Sequence, residues 1–127
     1  MSKILVVDDN EDTIDMVEAL LIAEDFEVET AADGREALSQ LDEDAKAGSL
    51  PDVVVLDMFM PEMSGREVCE KMRQNDHTKD TRVIFFTAAD FSEKGRKKLD
   101  KLDVADYIVK PFHNDDFIAR IKKAMKH

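Results

Sequence analysis

With 127 residues, 43% of them hydrophobic, the chain has enough apolar material for one folded domain and too much for a disordered segment. Its single cysteine rules out a disulfide framework within the chain, and the apolar start MSKILVV is too short for a signal peptide or a membrane span. A net charge of −11 argues against non-specific nucleic-acid binding, and it is uneven: residues 1–64 hold 18 acidic and 3 basic side chains, residues 65–127 hold 11 and 15. That asymmetry either turns opposite fields toward partners or is solvated surface that happens to be uneven.

In chain order, residues 4–7 form a β-branched apolar run without alternation, the pattern of a strand buried on both faces. Asp8, Asp9 and Asn10 follow, and any of the three could cap the next helix. That helix carries Ile14, Val17 and Leu21, with Met16 and Leu20 beside them, and its acidic start at Glu11, Asp12 and Asp15 suits a helix N-terminus. Residues 26–30 alternate, so they predict an edge strand with one wet face. Ala37, Leu38, Leu41 and Ala45 make a second helical stripe, with Gly48 placed to end it.

Residues 53–56 are a second fully apolar run, closed by Asp57 and followed by Met58, Phe59 and Met60 in what should be a loop. After the turn at Ser64 and Gly65, Val68, Cys69 and Met72 share a helical face, which makes Cys69 inert core. Residues 83–86 are a further apolar run, ending at Thr87. Residues 92–102 predict a weaker helix interrupted by Gly95. Its Lys94, Arg96, Lys97, Lys98 and Lys101 are either a solvated face or a docking surface for an acidic partner. Residues 107–109 form the last strand, followed by Lys110, and Phe117, Ile118, Ile121, Ala124 and Met125 mark the last helix. His77, His113 and His127 have no ligand spacing.

Strand and helix thus alternate five times with no linker or repeat, and residues 1–127 read as one domain. The fold class is α/β: a doubly wound, flavodoxin-like sheet of five parallel strands with right-handed crossovers and helices on both faces. In such a sheet ligands bind at the carboxyl edge, where the strand order reverses. Asp8 and Asp9, Asp57, Thr87 and Lys110 each follow one of the four fully apolar runs. With strand order 2-1-3-4-5, strands 1 and 3 are neighbours, so the three carboxylates converge, with Thr87 and Lys110 on the far side of Asp57. Three clustered carboxylates raise one another's pKa unless a cation intervenes, and Mg²⁺ is the natural one. With it in place, Asp57 stays ionised and can act as a nucleophile, while Lys110, Thr87 and backbone amides meet developing charge.

The stretches "VVDDNED", "VVLDMFMPEMSG", "FFTAAD" and "DYIVKPF" resemble the receiver domains of two-component response regulators, of the chemotaxis-regulator type, over essentially the whole chain. The resemblance implies that Asp57 is the phosphoacceptor and that Asp8 and Asp9 are the acidic pair. It implies Mg²⁺ held by Asp9, Asp57 and the Phe59 carbonyl, with Asp8 acting through water. It makes Thr87 and Lys110 contacts of the phosphoryl group, Tyr107 the switch aromatic, and the Lys110–Pro111 peptide cis. Two positions depart from the pattern: Asp103 stands where glycine is common, and His113 and Asn114 replace the usual cap before the last helix. Either Asn114 caps with a one-residue shift or His113 caps poorly.

By the same resemblance the domain is a phosphorylation-dependent switch. It takes its phosphoryl group from a sensor histidine kinase or phosphotransfer protein and catalyses only its own phosphorylation and dephosphorylation. Output passes through the face of helix 4, strand 5 and helix 5 to a downstream protein or domain. The location is cytoplasmic, with no direct nucleic-acid or membrane partner. A phosphorylation-dependent dimer is left open, as is whether the domain stands alone or was cut from a longer chain. An aspartyl-phosphate phosphatase would need a second acid two residues after Asp57, where Phe59 stands, and a flavodoxin-like binding module would need a hydroxyl-rich phosphate loop where "DDNED" stands. The Phe59 ring, with small Ala89 opposite, is expected to hinder hydrolytic water and give a long-lived phosphoform.

Overall fold

The computed structural model describes residues 2–87 and 102–125. Five strands, β1 (Lys3–Val7), β2 (Glu27–Ala31), β3 (Val53–Asp57), β4 (Arg82–Thr87) and β5 (Asp106–Val109), form one parallel sheet in the order β2-β1-β3-β4-β5. The helices are α1 (Glu11–Ala23), α2 (Gly34–Ala47), α3 (Gly65–Gln74) and a C-terminal helix (Asn114–Met125). The predicted helix at 92–102, with its basic cluster, lies outside the described residues apart from Leu102, as do Ala89 and His127.

The unbroken apolar runs follow from burial on two sides. Leu5, Val7, Val54, Leu56, Val83 and Phe85 point into one core, with α2 and α3 supplying Ala37, Leu41, Val68, Cys69 and Met72. The alternate residues Ile4, Val6, Val53, Val55, Ile84 and Phe86 point into the other, against Ile14, Val17 and Leu21 of α1 and Phe117 and Ile121 of the C-terminal helix. Every side chain of β3 is buried, so alternation has no solvent face to report. Burial pushes the Cys69 thiol up to about 11, which makes it inert.

β2 departs in part from the expected wet-faced strand. Glu29 is half-buried, and its Oε1 lies 2.5 Å from Lys3 Nζ, which also lies 3.2 Å from buried Asp44 Oδ2 and donates to the Ser49 carbonyl at 2.7 Å. α2 covers that face, and an ion pair makes the covering tolerable for Glu29.

Local chemistry sets the element ends. Asn10 caps α1, its side chain accepting from the Thr13 N–H at 3.1 Å, and this leaves Asp8 and Asp9 for other work. Asp33 and Ser64 cap α2 and α3, and Gly48 ends α2 at φ +71°. The Phe117 N–H donates to the His113 carbonyl at 3.0 Å, so the last helix starts at Asn114 with His113 in the cap position. Asp103 takes the left-handed conformation, φ +54°, that its position before β5 called for, and Asp25 and Glu62 share it at φ +66°. The Lys110–Pro111 peptide is cis. Gly65 sits where a Cβ would lie 2.1 Å from the Asp57 carbonyl oxygen. The absence of a side chain there lets α3 begin hard against the end of β3.

Candidate functional site

The parallel register brings the predicted residues to one edge. Val7 pairs with Leu56, Asp57 with Phe86, and Thr87 with Val109, so the chain leaves β1, β3, β4 and β5 at Asp8, Asp57, Thr87 and Lys110. Carboxylate oxygens of Asp8, Asp9 and Asp57 all lie within 4.8 Å of one another. Asp8 and Asp57 are buried while Asp9 is exposed, so the cluster opens to solvent on the Asp9 side.

Each inner carboxylate is held by fixed donors. Asp8 accepts from the Asn10 N–H at 2.9 Å through Oδ1 and from Lys110 Nζ at 2.7 Å through Oδ2. The same ammonium sits 4.5 Å from the Phe86 ring centroid, a cation–π contact that steadies it over the sheet. Asp57 Oδ1 accepts from the Phe59 N–H at 3.3 Å, which turns the chain sharply after β3. Burial pushes the Asp57 carboxyl up to about 6, and the negative charges of Asp8 and, more weakly, Asp9 add to the rise. Lys110 and the Phe59 N–H pull the other way without cancelling it. A buried carboxylate with this much opposition to its charge is short of a cation. Three hard oxygen donors facing one gap fit a small divalent ion such as Mg²⁺.

Thr87 is fully buried at the end of β4, and its carbonyl accepts from the Lys110 N–H at 2.7 Å, tying the ends of β4 and β5 together. Tyr107 is half-buried with its hydroxyl oxygen turned inside, and its ring stacks on Phe85 at a centroid distance of 6.0 Å. The three apolar residues after Asp57 divide as their alternation permits. Met58 and Met60 are 5% and 8% exposed in the core beneath the loop, and Phe59 is 59% exposed beside the carboxylates.

Two arginines that no motif singled out hold the other end of β5. Arg120 contacts Asp106 Oδ1 through Nη1 at 2.8 Å and Asp116 Oδ2 through Nε at 2.9 Å. The Asp116 contact is an i,i+4 pair readable from the helix; the Asp106 contact is not. Arg120 lines a polar cleft of about 750 Å³, with Arg82, Asp103, Asp106 and Lys123, at the amino edge of the sheet, away from Asp57. Arg73 gathers backbone carbonyls from two loops. Among the described residues, no helix is long and apolar enough to cross a membrane.

Comparison with known proteins agrees with this geometry. The family model for the response regulator receiver domain matches residues 4–122. The phosphate regulon transcriptional regulatory protein PhoB of Rhizobium meliloti is 37% identical over 127 residues, covering 99% of this chain and 53% of PhoB. The response regulator PleD of Caulobacter vibrioides is 36% identical over 121 residues, covering 95% of this chain and 25% of PleD. The chain therefore spans about half the length of one relative and a quarter of the other. The solved structure of the Vibrio cholerae chemotaxis protein CheY4 superposes with a TM-score of 0.88 at 31% identity, covering 98% of both chains. A carboxyl-edge cluster of three aspartates with a lysine, carried on a 2-1-3-4-5 parallel sheet and matched by the family over residues 4–122, makes this chain a member of the response regulator receiver domains of two-component signalling.

Proposed function

We propose that the chain is a phosphorylation-dependent signalling switch whose phosphoacceptor is Asp57. The observation that carries this reading is the convergence of Asp8, Asp9 and Asp57 within 4.8 Å, beside a lysine ammonium held on Asp8. In the transfer step an Asp57 oxygen forms a bond to phosphorus. The phosphorus–nitrogen bond of a phosphohistidine on a sensor kinase or phosphotransfer protein breaks, and the ring nitrogen keeps the electron pair.

Asp9, Asp57 and the Phe59 carbonyl would hold Mg²⁺ directly, with Asp8 acting through water. When bound, the ion neutralises the carboxylates and the transferring phosphoryl group. Lys110 has further N–H donors beyond the one on Asp8, and these meet a phosphoryl oxygen. The Thr87 hydroxyl donates to another. Thr87 moving toward the phosphoryl group frees the space into which Tyr107 swings, and the signal is the resulting population shift.

The changed surface is that of β5 and the helices flanking it, and the output protein or domain reads it there. The basic sequence at 94–101 favours a partner with an acidic docking face. The working location is the cytoplasm, where phosphohistidine kinases present their donors. Phe59 offers no carboxylate at the position where an aspartyl-phosphate phosphatase needs its acid, so the phosphoform is a stored signal rather than a turnover intermediate.

Incubation with Mg²⁺ and acetyl phosphate, followed by intact mass measurement, tests the proposal. One phosphoryl group should be gained by the parent and none by Asp57→Asn. No gain, together with no binding of beryllofluoride, would overturn it, and rapid turnover of phosphomonoesters would favour a phosphatase.

A further inference from the structure

Arg73, in the last turn of α3, the helix that follows Asp57, belongs to no motif of the carboxyl edge. Its Nε donates to the Leu102 carbonyl at 2.6 Å and Nη2 to the Asp103 carbonyl at 3.2 Å. Nη1 faces the carbonyls of Thr81 at 2.7 Å, Lys79 at 3.0 Å and Thr78 at 3.5 Å. The acceptors are all backbone oxygens, and they come from two separate connections: the turn leading into β4 and the segment leading into β5. The side chain acts on them as a bound cation acts on a ring of ligands, with the directionality of a planar fork.

The place of this clasp in the fold gives it a consequence. β5 has four residues and pairs with β4 alone in the sheet. Its position along β4 is set at one end by the Ala105 N–H on the Val83 carbonyl at 2.8 Å and at the other by the Lys110 N–H on the Thr87 carbonyl at 2.7 Å. Asp103, two residues before Ala105, is in the left-handed conformation and needs outside contacts to hold it there. Arg73 supplies one of them.

We propose that Arg73 is a positioning residue: it fixes the start of β5 against β4, and through that strand it sets where Lys110 stands over the aspartates. The part concerning Lys110 rests on the proposed phosphoryl chemistry; the part concerning β5 does not.

The test uses the full chain with Arg73→Ala and Arg73→Lys. In Arg73→Ala, amide hydrogen exchange at Ala105 and Lys110 should rise about tenfold or more, while amides of β1 and β3 keep their protection. Ethylguanidinium at tens of millimolar, the fragment that the truncation removes, should restore protection at both amides, and ammonium should not. Arg73→Lys should show an intermediate loss that ethylguanidinium does not repair, because the lysine stem fills the space. The rate of Asp57 phosphorylation by acetyl phosphate should fall with the loss of protection and return with ethylguanidinium.

Unchanged exchange at Ala105 and Lys110, an equal rise across all strands, or failure of ethylguanidinium to restore protection would overturn the clasp. If Arg73→Ala does not fold, Arg73→Lys decides, and parent-like exchange in that variant overturns the proposal. Protection lost and restored without any change in phosphorylation rate would overturn the link to Lys110 alone. A parent that takes up no phosphoryl group at all would instead overturn the proposed function, and the exchange data would still judge the clasp.

Discussion

Lys110 Nζ and Asp8 Oδ2 lie 2.7 Å apart although 102 positions separate them in the chain. Asp8 follows β1 and Lys110 follows β5, so the pair reaches across the ends of β3 and β4, over Asp57. The Asp8 side chain is 1% exposed and that of Lys110 is 21% exposed. The carboxylate therefore bears most of the desolvation, and the lysine is its principal compensation besides one backbone N–H.

Removing the lysine should strand that charge. Lys110→Met keeps an unbranched side chain but removes the ammonium, and with it both the Asp8 contact and the cation–π contact with Phe86. It should cost about 2–3 kcal/mol of stability, below the full value of a buried pair because Lys110 is partly solvated. Urea unfolding at pH 7 with and without Mg²⁺ measures it. A cost within about 0.5 kcal/mol would mean that water already compensates Asp8.

Asp57 links stability to pH. Its carboxyl titrates at about 6 in the fold against an ordinary 3.8, so the folded protein binds the proton more tightly than the unfolded chain. The sign follows: the contribution is fully present below pH 3.8 and is lost as pH rises through about 6. At pH 7 the ionised carboxylate is a burden of about 2–3 kcal/mol. Asp57→Asn should therefore be more stable than the parent at pH 7 by an amount of that order, with the gap closing as pH falls toward 4. Mg²⁺ should narrow the gap from the other side by stabilising only the parent. Urea midpoints over pH 4–8 would show both trends, and a variant no more stable than the parent at pH 7 would contradict the burden assigned to Asp57.

Backbone strain offers an independent check. Asp25, Glu62 and Asp103 all sit at positive φ without being glycine. The left-handed region costs an L-residue about 1–2 kcal/mol, least for Asp and Asn, and glycine gives part of that back through its freer unfolded chain. Glu62→Gly should thus stabilise by about 0.5–1 kcal/mol and Asp25→Gly by less. Asp103→Gly should gain least, because the Arg73 contact to its carbonyl already holds that turn. Thermal unfolding of the three variants ranks them, and a loss of stability in Glu62→Gly would refute the strain.

Much of the site was legible in the sequence because a parallel sheet exposes chemistry only at strand ends. Asp8, Asp57, Thr87 and Lys110 stand out as polar residues closing apolar runs, and the alternation of strand with helix puts those ends together. Relationships without a pattern were not legible. Which of Asp8, Asp9 and Asn10 caps α1 depends on where the helix begins, and the structure assigns Asn10. Glu29 looked wet because alternation records polarity and not what packs above it; Lys3 of β1 reaches it, and that lysine is also paired with Asp44 of α2. The acceptors of Arg73 are carbonyls, which every residue supplies, so no side chain at 78–81 or 102–103 announces the clasp. Arg120 meets Asp106 across 14 positions and two elements, a spacing that no helix or strand period predicts.

Phe59 is the residue whose role separates stability from function. Its side chain is 59% exposed, whereas its neighbours Met58 and Met60 are buried. Packing therefore accounts for the flanking methionines and leaves the phenyl ring unexplained as core. Its N–H is committed to Asp57 Oδ1, so the Phe59 backbone is fixed next to the carboxylate cluster. In the proposed chemistry a ring at this position would exclude the water that attacks phosphorus in line, and it carries no group to orient that water. Phe59→Asn and Phe59→Glu supply such a group while removing little buried area. Both should leave stability within about 0.5 kcal/mol of the parent. Both should shorten the half-life of the phosphoform several-fold, about 1 kcal/mol of barrier. Loss of the phosphorylated mass over time, after rapid removal of acetyl phosphate, measures the half-life directly. If both variants hydrolyse at the parent rate, the ring serves a binding partner and the timing of the signal lies elsewhere in the site.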